Sequence, residues 1–310
     1  MKNLYLLLLM SFFTVTTIKS QFYEMWRKDR RFFYAGIGAT NFLGDLGGAN
    51  KIGTHGLRDL DWQSTRPLMA VGYRYRLGRY YFVRGVLHFG YLYGDDKFTQ
   101  EPIRHNRNLN FRTPIIDASG QFEFLLTQMQ REGHRYKLKS SPWRRIRGWR
   151  HINFETYVFT GVNFFWFNPQ GRYVDGTWVN LKPLHTEGQG LVDTRKPYHR
   201  FQVGIPGGIG FRYAVNKDLS VGLEYSVRKT FTDYIDDCST TYYDNEEIRA
   251  NFGDIAAYMA DPSLSKEGIF DTQTLPGQQR GDPRYKDAYM FAEITIYYKL
   301  RKGGFSVPKF

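Results

Sequence analysis

Polar and apolar side chains alternate along eight stretches of this chain, each of about ten residues or more, the length a tilted strand needs to cross a bilayer. Over residues 67–77, Met69, Val71, Tyr73, Tyr75 and Leu77 share one face and Leu68, Ala70, Gly72, Arg74 and Arg76 the other. Residues 81–93 repeat the pattern, with Tyr81, Val83, Leu87, Phe89, Tyr91 and Tyr93 opposite Phe82, Arg84, Val86, His88 and Gly90. Stretches at 201–215, 220–228 and 288–300 follow suit, and those at 32–41, 110–126 and 152–167 fit less cleanly. One face is greasy throughout; the other is small or charged.

This pattern predicts an all-β protein, an eight-stranded antiparallel transmembrane β-barrel with long outer loops. A soluble barrel alternates too, but its polar face is a wet mixture of Lys and Glu. Here the polar face holds Gly, Arg and isolated carboxylates, and aromatics gather near strand ends, as in the girdles of a membrane barrel. Outer loops are expected at 42–65, 94–109, 168–199 and 231–287, and tight inner turns at Gly78-Arg79 and Asn216-Lys-Asp218. The connection over 127–151 breaks the rule, being long and basic where a short periplasmic turn belongs.

The opening residues, Met1-Lys-Asn-Leu-Tyr-Leu-Leu-Leu-Leu-Met10, read as a secretory signal peptide over 1–20, although Ile18 suits the cleavage site poorly. A periplasmic lead at 21–31, the barrel at 32–302 and a tail at 303–310 complete the expected organisation, with the mature chain in the outer membrane. Aromatic residues are 17% of the chain while its mean hydropathy is −0.51, a combination that alternating lipid-facing and lumen-facing positions produce. The formal net charge of +13 suggests an acidic partner or an anionic surface; for an exported chain outer-membrane lipid and lipopolysaccharide fit, and nucleic acid does not. A single cysteine, Cys238, excludes an intramolecular disulfide and a zinc site, and the histidines lack metal-ligand spacing.

Eight strands enclose a lumen just wide enough to be filled by side chains. The inward charges expected there are Arg74, Arg76, Arg84, Arg212, Arg228, His88 and Lys299, with Asp117, Glu123, Glu155, Glu224 and Glu293 as partners. Buried charges must pair, so a salt-bridged plug is expected and a diffusion pore is not. His88 with Glu123 or Glu155 is the nearest thing to a catalytic dyad, but no nucleophile is placed beside it. No catalytic residue, metal or cofactor is expected.

Gly204-Ile-Pro-Gly-Gly-Ile-Gly210 lacks the following helix of a phosphate-binding loop, and Arg280-Gly281-Asp282 matches an integrin tripeptide at the level of chance. The acidic stretch with Asp233, Tyr234, Asp236 and Asp237 lacks the ligand alternation of a calcium loop and reads as a hydrogen-bonded outer rim. In the basic connection, Arg144, Arg145, Arg147 and Trp149 suit either lipid headgroups or an acidic periplasmic partner.

Three segments, Tyr34 to Gly48, Arg228 to Tyr243 and Arg280 to Tyr289, resemble the PorG-like outer-membrane proteins of the Bacteroidetes type IX secretion system. The resemblance implies a non-enzymatic barrel that associates with a periplasmic ring of PorK and PorN subunits and supports secretion, and in some relatives gliding. The long basic inner connection makes Arg144, Arg145, Arg147 and Trp149 the expected ring contact. A lipid A modifying enzyme and an adhesin-type barrel are the alternatives.

Overall fold

The computed structural model describes residues 30–46, 63–99, 101–127, 154–216, 218–267 and 274–300. The expected signal peptide, most of the lead, the tail and the basic segment with Arg144, Arg145, Arg147 and Trp149 lie outside the described residues.

Among the described residues ten strands follow in chain order: β1 (Arg31–Leu43), β2 (Arg66–Arg76), β3 (Tyr81–Asp95), β4 (Asn110–Leu125), β5 (Phe154–Phe167), β6 (Gln170–Arg172), β7 (Trp178–Asn180), β8 (Phe201–Ala214), β9 (Leu219–Thr230) and β10 (Ala288–Leu300). Eight of them form the barrel: the ladder runs β3-β2-β1-β10-β9-β8-β5-β4, and β3 pairs with β4 to close it. All neighbours are antiparallel, from Arg31↔Leu300 at one end of the β1–β10 seam to Leu43↔Ala288 at the other. Closure pairs both edges of every barrel strand, the condition for strands to cross lipid. No helix among the described residues is long and apolar enough to do so.

Alternation decides what each strand shows to either side. The even positions of β2, β3 and β9 are buried or nearly so, and the odd ones carry an apolar exterior. Phe201 is 76% exposed and Ile37 65%, with Met69, Phe164, Leu223 and Ile294 also more than half exposed. Water would penalise such a continuous apolar belt, whereas acyl chains do not.

At the terminal end, β2 joins β3 and β8 joins β9 through short turns. Leu77 N–H donates to the Tyr81 carbonyl at 3.0 Å, and the Asn216 side chain accepts from Leu219 N–H at 2.8 Å. Inward glycines of β8 make room for neighbouring rings: a Cβ at Gly210 would overlap the Tyr157 ring, and one at Gly208 the Phe159 ring. The glycine-rich stretch therefore fills a packing role.

At the opposite end the loops fold. The β6–β7 hairpin continues the barrel wall above β4 through Arg112↔Gln170. Residues 231–287 carry two helices, α2 (Asn245–Phe252) and α3 (Asp254–Ala260), and a shorter one, α1 (Pro102–Arg107), follows β3. Asp244 caps α2, accepting from Glu246 and Glu247 N–H at 2.9 and 3.2 Å, and Gly253 at φ 88° turns the chain into α3.

Candidate functional site

The lower half of the lumen is organised around Glu224. Arg84 grips it in a two-pronged ion pair at 2.8 and 2.7 Å, Tyr157 donates to it at 2.6 Å, and Tyr297 donates as well. Arg84 also donates to Gln121 at 2.7 Å. Arg74 meets Glu123 at 2.6 Å, and Arg212 meets Glu155 at 3.0 Å. Aromatic faces hold the guanidiniums flat: Arg74 lies 3.4 Å from the Phe82 ring centre and Arg212 4.0 Å from that of Tyr297. Arg76 stands nearest the terminal end and donates to the Gly78 carbonyl at 3.1 Å.

A second tier lies above. Asp117 accepts from Tyr289 and Asn163, both at 2.7 Å, and faces Arg228 at 3.4 Å. His88 stands between two carboxylates, with Nε2 3.1 Å from Glu293 and Nδ1 3.5 Å from Asp117, and Tyr34 donates to Glu293 at 2.6 Å. The two tiers fill the lumen with charges that are individually buried and mutually compensated, the arrangement a low-dielectric interior requires.

An apolar layer seals the outer end. Phe42, Leu92, Phe111, Phe165, Phe167 and Phe291 come from the uppermost inward strand positions. Leu46, Leu109, Leu181, Tyr198, Ile235 and Met259 descend on them from the loops. Barrel and loops therefore share one core, and the loops form a docked cap.

The cap has its own polar centre. Arg280 donates to Glu187 at 2.9 Å and to the Asp237 carbonyl at 2.6 Å. Glu187 also accepts from Ser239 N–H at 2.9 Å and the Thr240 hydroxyl at 2.7 Å. Arg107 makes a two-pronged pair with Asp96 at 2.7 and 2.9 Å. Asp237 accepts from the Thr186 and Tyr198 hydroxyls at 2.5 and 2.7 Å. Asp236 accepts from Leu46 and Cys238 N–H at 3.1 and 3.0 Å, and Asp287 from Ile235 N–H at 2.9 Å.

Acids outnumber bases here, and burial raises the carboxyls. Burial lifts Asp237 to about 6 against the pull of Arg280, and lifts Asp233 to about 6 against its hydrogen bond from Ser239. Asp236 and Asp287 rise well above the ordinary range through burial and then through neighbouring acids, Asp45 for the first and Asp236 for the second. Each group binds its proton more tightly folded than unfolded, so cap stability should rise as pH falls from about 7 toward the ordinary carboxylate value of 3.8. Asp237 alone contributes about 3 kcal/mol across that window. Hydrogen exchange corrected for intrinsic rates should show stronger protection in 231–267 at pH 5 than at pH 7.5, and Asp237→Asn should flatten the difference. Equal protection at both pH values would contradict this account.

Arg74, Arg76, Arg84, Glu123, Glu155, Arg212, Glu224, Arg228 and Glu293, expected from alternation, all lie on the lumen side. Tyr34, Tyr157, Tyr289 and Tyr297 share this inward face and their hydroxyls complete the hydrogen bonds, a role that alternation alone does not assign. The expectation of an outer rim needs correction: Asp233, Asp236 and Asp237 are buried in the centre of the cap, and Tyr234 is half-buried, stacked on Tyr198. They are covered because 168–199 and 231–287 fold over them. Arg280, first residue of the integrin-like tripeptide, is 2% exposed and spent inside the cap. Glu187 and Arg107 had no sequence signal, since loops carry no periodicity. Among the described residues no group of His, Cys, Asp and Glu is arranged to hold a metal ion.

A closed antiparallel barrel of eight long strands, apolar outside and salt-bridged within, belongs to the outer-membrane β-barrel proteins, and the chain sits in the outer membrane. More particularly, it belongs to the family described as Domain of unknown function (DUF6089), whose model matches residues 2–259. No curated protein matches the chain. Among solved structures it is similar to the attachment invasion locus protein Ail of Yersinia pestis, at 7% identity over 88% of this chain and 99% of that one, with a TM-score of 0.38. Neisserial surface protein A is similar at 10% identity over 87% and 97% of the two chains, with a TM-score of 0.35. OprG from Pseudomonas aeruginosa is similar at 10% over 88% and 97%, with a TM-score of 0.34. These findings correct the narrower expectation drawn from the resemblance. The family that matches is described without a role, so the type IX secretion, PorG-like and gliding terms give way to an outer-membrane barrel.

Proposed function

We propose that this protein is a non-enzymatic, non-conducting outer-membrane barrel that presents a pre-folded cap at the cell surface as an adhesin-type binding platform. The observation that carries this reading is the shared core: the apolar layer of Phe42, Phe111, Phe165 and Phe167 packs directly against Leu46, Leu181, Tyr198 and Ile235 of the loops. Such a cap loses little conformational entropy on binding, because its loops are ordered before a partner arrives. Exposed Ile103, Val174, Leu275 and Tyr285 give it apolar contact points.

Two measurements test the reading together. Reconstituted in planar bilayers, the protein should show no conductance steps above the lipid baseline. Cells displaying the intact barrel should attach to protein-coated surfaces several-fold better than cells displaying a barrel whose residues 235–281 are replaced by a short Gly-Ser linker. Stable conductance, or equal attachment by both barrels, would overturn it.

A further inference from the structure

The outer wall of the barrel changes character above its apolar belt on β3 and β4. On the exterior of β3 and β4, Phe89 pairs with Ile116, Tyr91 with Pro114, and Tyr93 with Arg112. Phe89 and Ile116 are 44% and 43% exposed and belong to the belt. Four residues further along, about 13 Å at the rise of a strand, the same face presents arginines and aromatic rings.

Arg112 lies with its guanidinium carbon 4.3 Å from the centre of the Trp178 ring, and its Nε donates to Gln170 at 2.9 Å. Arg66 lies 4.0 Å above the Tyr93 ring, donating to the Gln63 and Thr65 carbonyls at 2.9 and 2.8 Å. Tyr93 and Trp178 meet edge to face at 6.4 Å. Arg172 sits opposite Trp178 in the β6–β7 register, so it shares this outward face, and it is exposed. Asp95, beside the ledge, accepts from the Tyr93 hydroxyl at 2.8 Å and is paired with Lys97 at 2.8 Å. Among the described residues, Arg66, Arg112 and Arg172 have no carboxylate partner.

Three guanidiniums without a carboxylate partner among the described residues, beside a ledge of rings at the upper border of a lipid-facing belt, are unlike the lumen Arg74, Arg84, Arg212 and Arg228, each of which faces a carboxylate. A ring beneath a guanidinium fixes its plane and leaves its N–H edge pointing outward, and that edge matches phosphate oxygens. At this height the wall meets the headgroups of the outer leaflet, where interfacial Trp and Tyr also gather. We propose that Arg66, Tyr93, Arg112, Arg172 and Trp178 form a binding site for the phosphorylated saccharide headgroup of an outer-leaflet lipid. Arg112 and Arg172 contact the phosphate, and Trp178 stacks between them as the wall of the site. The site is independent of what the cap binds.

The test uses the purified full-length protein in detergent, examined by native mass spectrometry with three probes: bis-phosphorylated lipid A, the same lipid dephosphorylated, and inorganic phosphate. The wild type should retain the phosphorylated lipid, and the Arg112→Ala/Arg172→Ala double variant should retain it roughly tenfold less well, the scale of one lost charge-assisted contact or more. Arg112→Lys should fall between them, because it keeps the charge but loses the stacked fork. Heat-modifiable migration on gels checks that each variant is folded. If the double variant fails to fold, the wild type decides alone: equal retention of phosphorylated and dephosphorylated lipid overturns the proposal. Competition by low-millimolar inorganic phosphate would assign the site to the free ion and overturn the lipid source, and undiminished retention by a folded double variant would overturn the residue assignment.

Discussion

Glu224→Ala should destabilise the folded barrel by about 3–5 kcal/mol, the cost of stranding a buried charge, and should sharply reduce folding into vesicles. The reason is local and severe. Glu224 is the shared acceptor for both prongs of Arg84, at 2.8 and 2.7 Å, and for the hydroxyls of Tyr157 and Tyr297. Glu224 and Arg84 are 2% and 4% exposed, so no solvent replaces what is lost. Glu224→Gln should cost less, since the amide oxygen still accepts while the charge is gone. Replacing Arg84 and Glu224 together by Met should cost less than removing Glu224 alone, because no unpaired charge stays behind. Urea titration of the vesicle-folded protein measures all three, and a Glu224→Ala barrel as stable as the parent would contradict the role given to this pair.

Arg280→Met should release the cap and leave the barrel standing. The guanidinium joins Glu187, the Asp237 carbonyl and the Ala260 carbonyl at 2.9, 2.6 and 3.2 Å, tying the 168–199 loop to both ends of 231–287. Met keeps much of the volume and none of the donors. It leaves Glu187 as a buried carboxylate without its ion pair, a loss of about 3 kcal/mol or more. Limited proteolysis should then cut within 231–287 while the barrel strands stay protected and heat-modifiable migration persists. A cap that remains resistant would show that its apolar contacts suffice without the arginine. The lumen and cap thus fail separately, although they share the aromatic layer around Phe111 and Phe167.

The barrel was legible because its signal is local and repeats. Over 81–93 every second residue faces lipid, so Tyr81, Val83, Leu87 and Phe89 announce one wall of β3, and Arg84 and His88 the other, without knowledge of any neighbour. Inward charges could be named for the same reason, and their need for partners follows from electrostatics. Which partner each takes could not be read. Arg84 is joined to Glu224 across the lumen, 140 residues away in sequence, and that choice depends on strand order and stagger.

The cap was illegible for a different reason. The stretch from Asp233 to Asp237 looks like a solvated rim when read alone, and only the approach of Glu187, Arg280 and Tyr198 from other segments buries it. The ledge of Arg66, Arg112, Arg172 and Trp178 is assembled from four strands in the same way. Period-two alternation by itself determined that this chain is an eight-stranded membrane barrel with a charged, filled interior, because strand geometry sorts side chains one residue at a time. Only the tertiary structure decided that its acidic loop is a buried keystone and that Arg66, Arg112 and Arg172 meet on one outer wall, because loops have no period and their contacts are set by closure of the barrel beneath them.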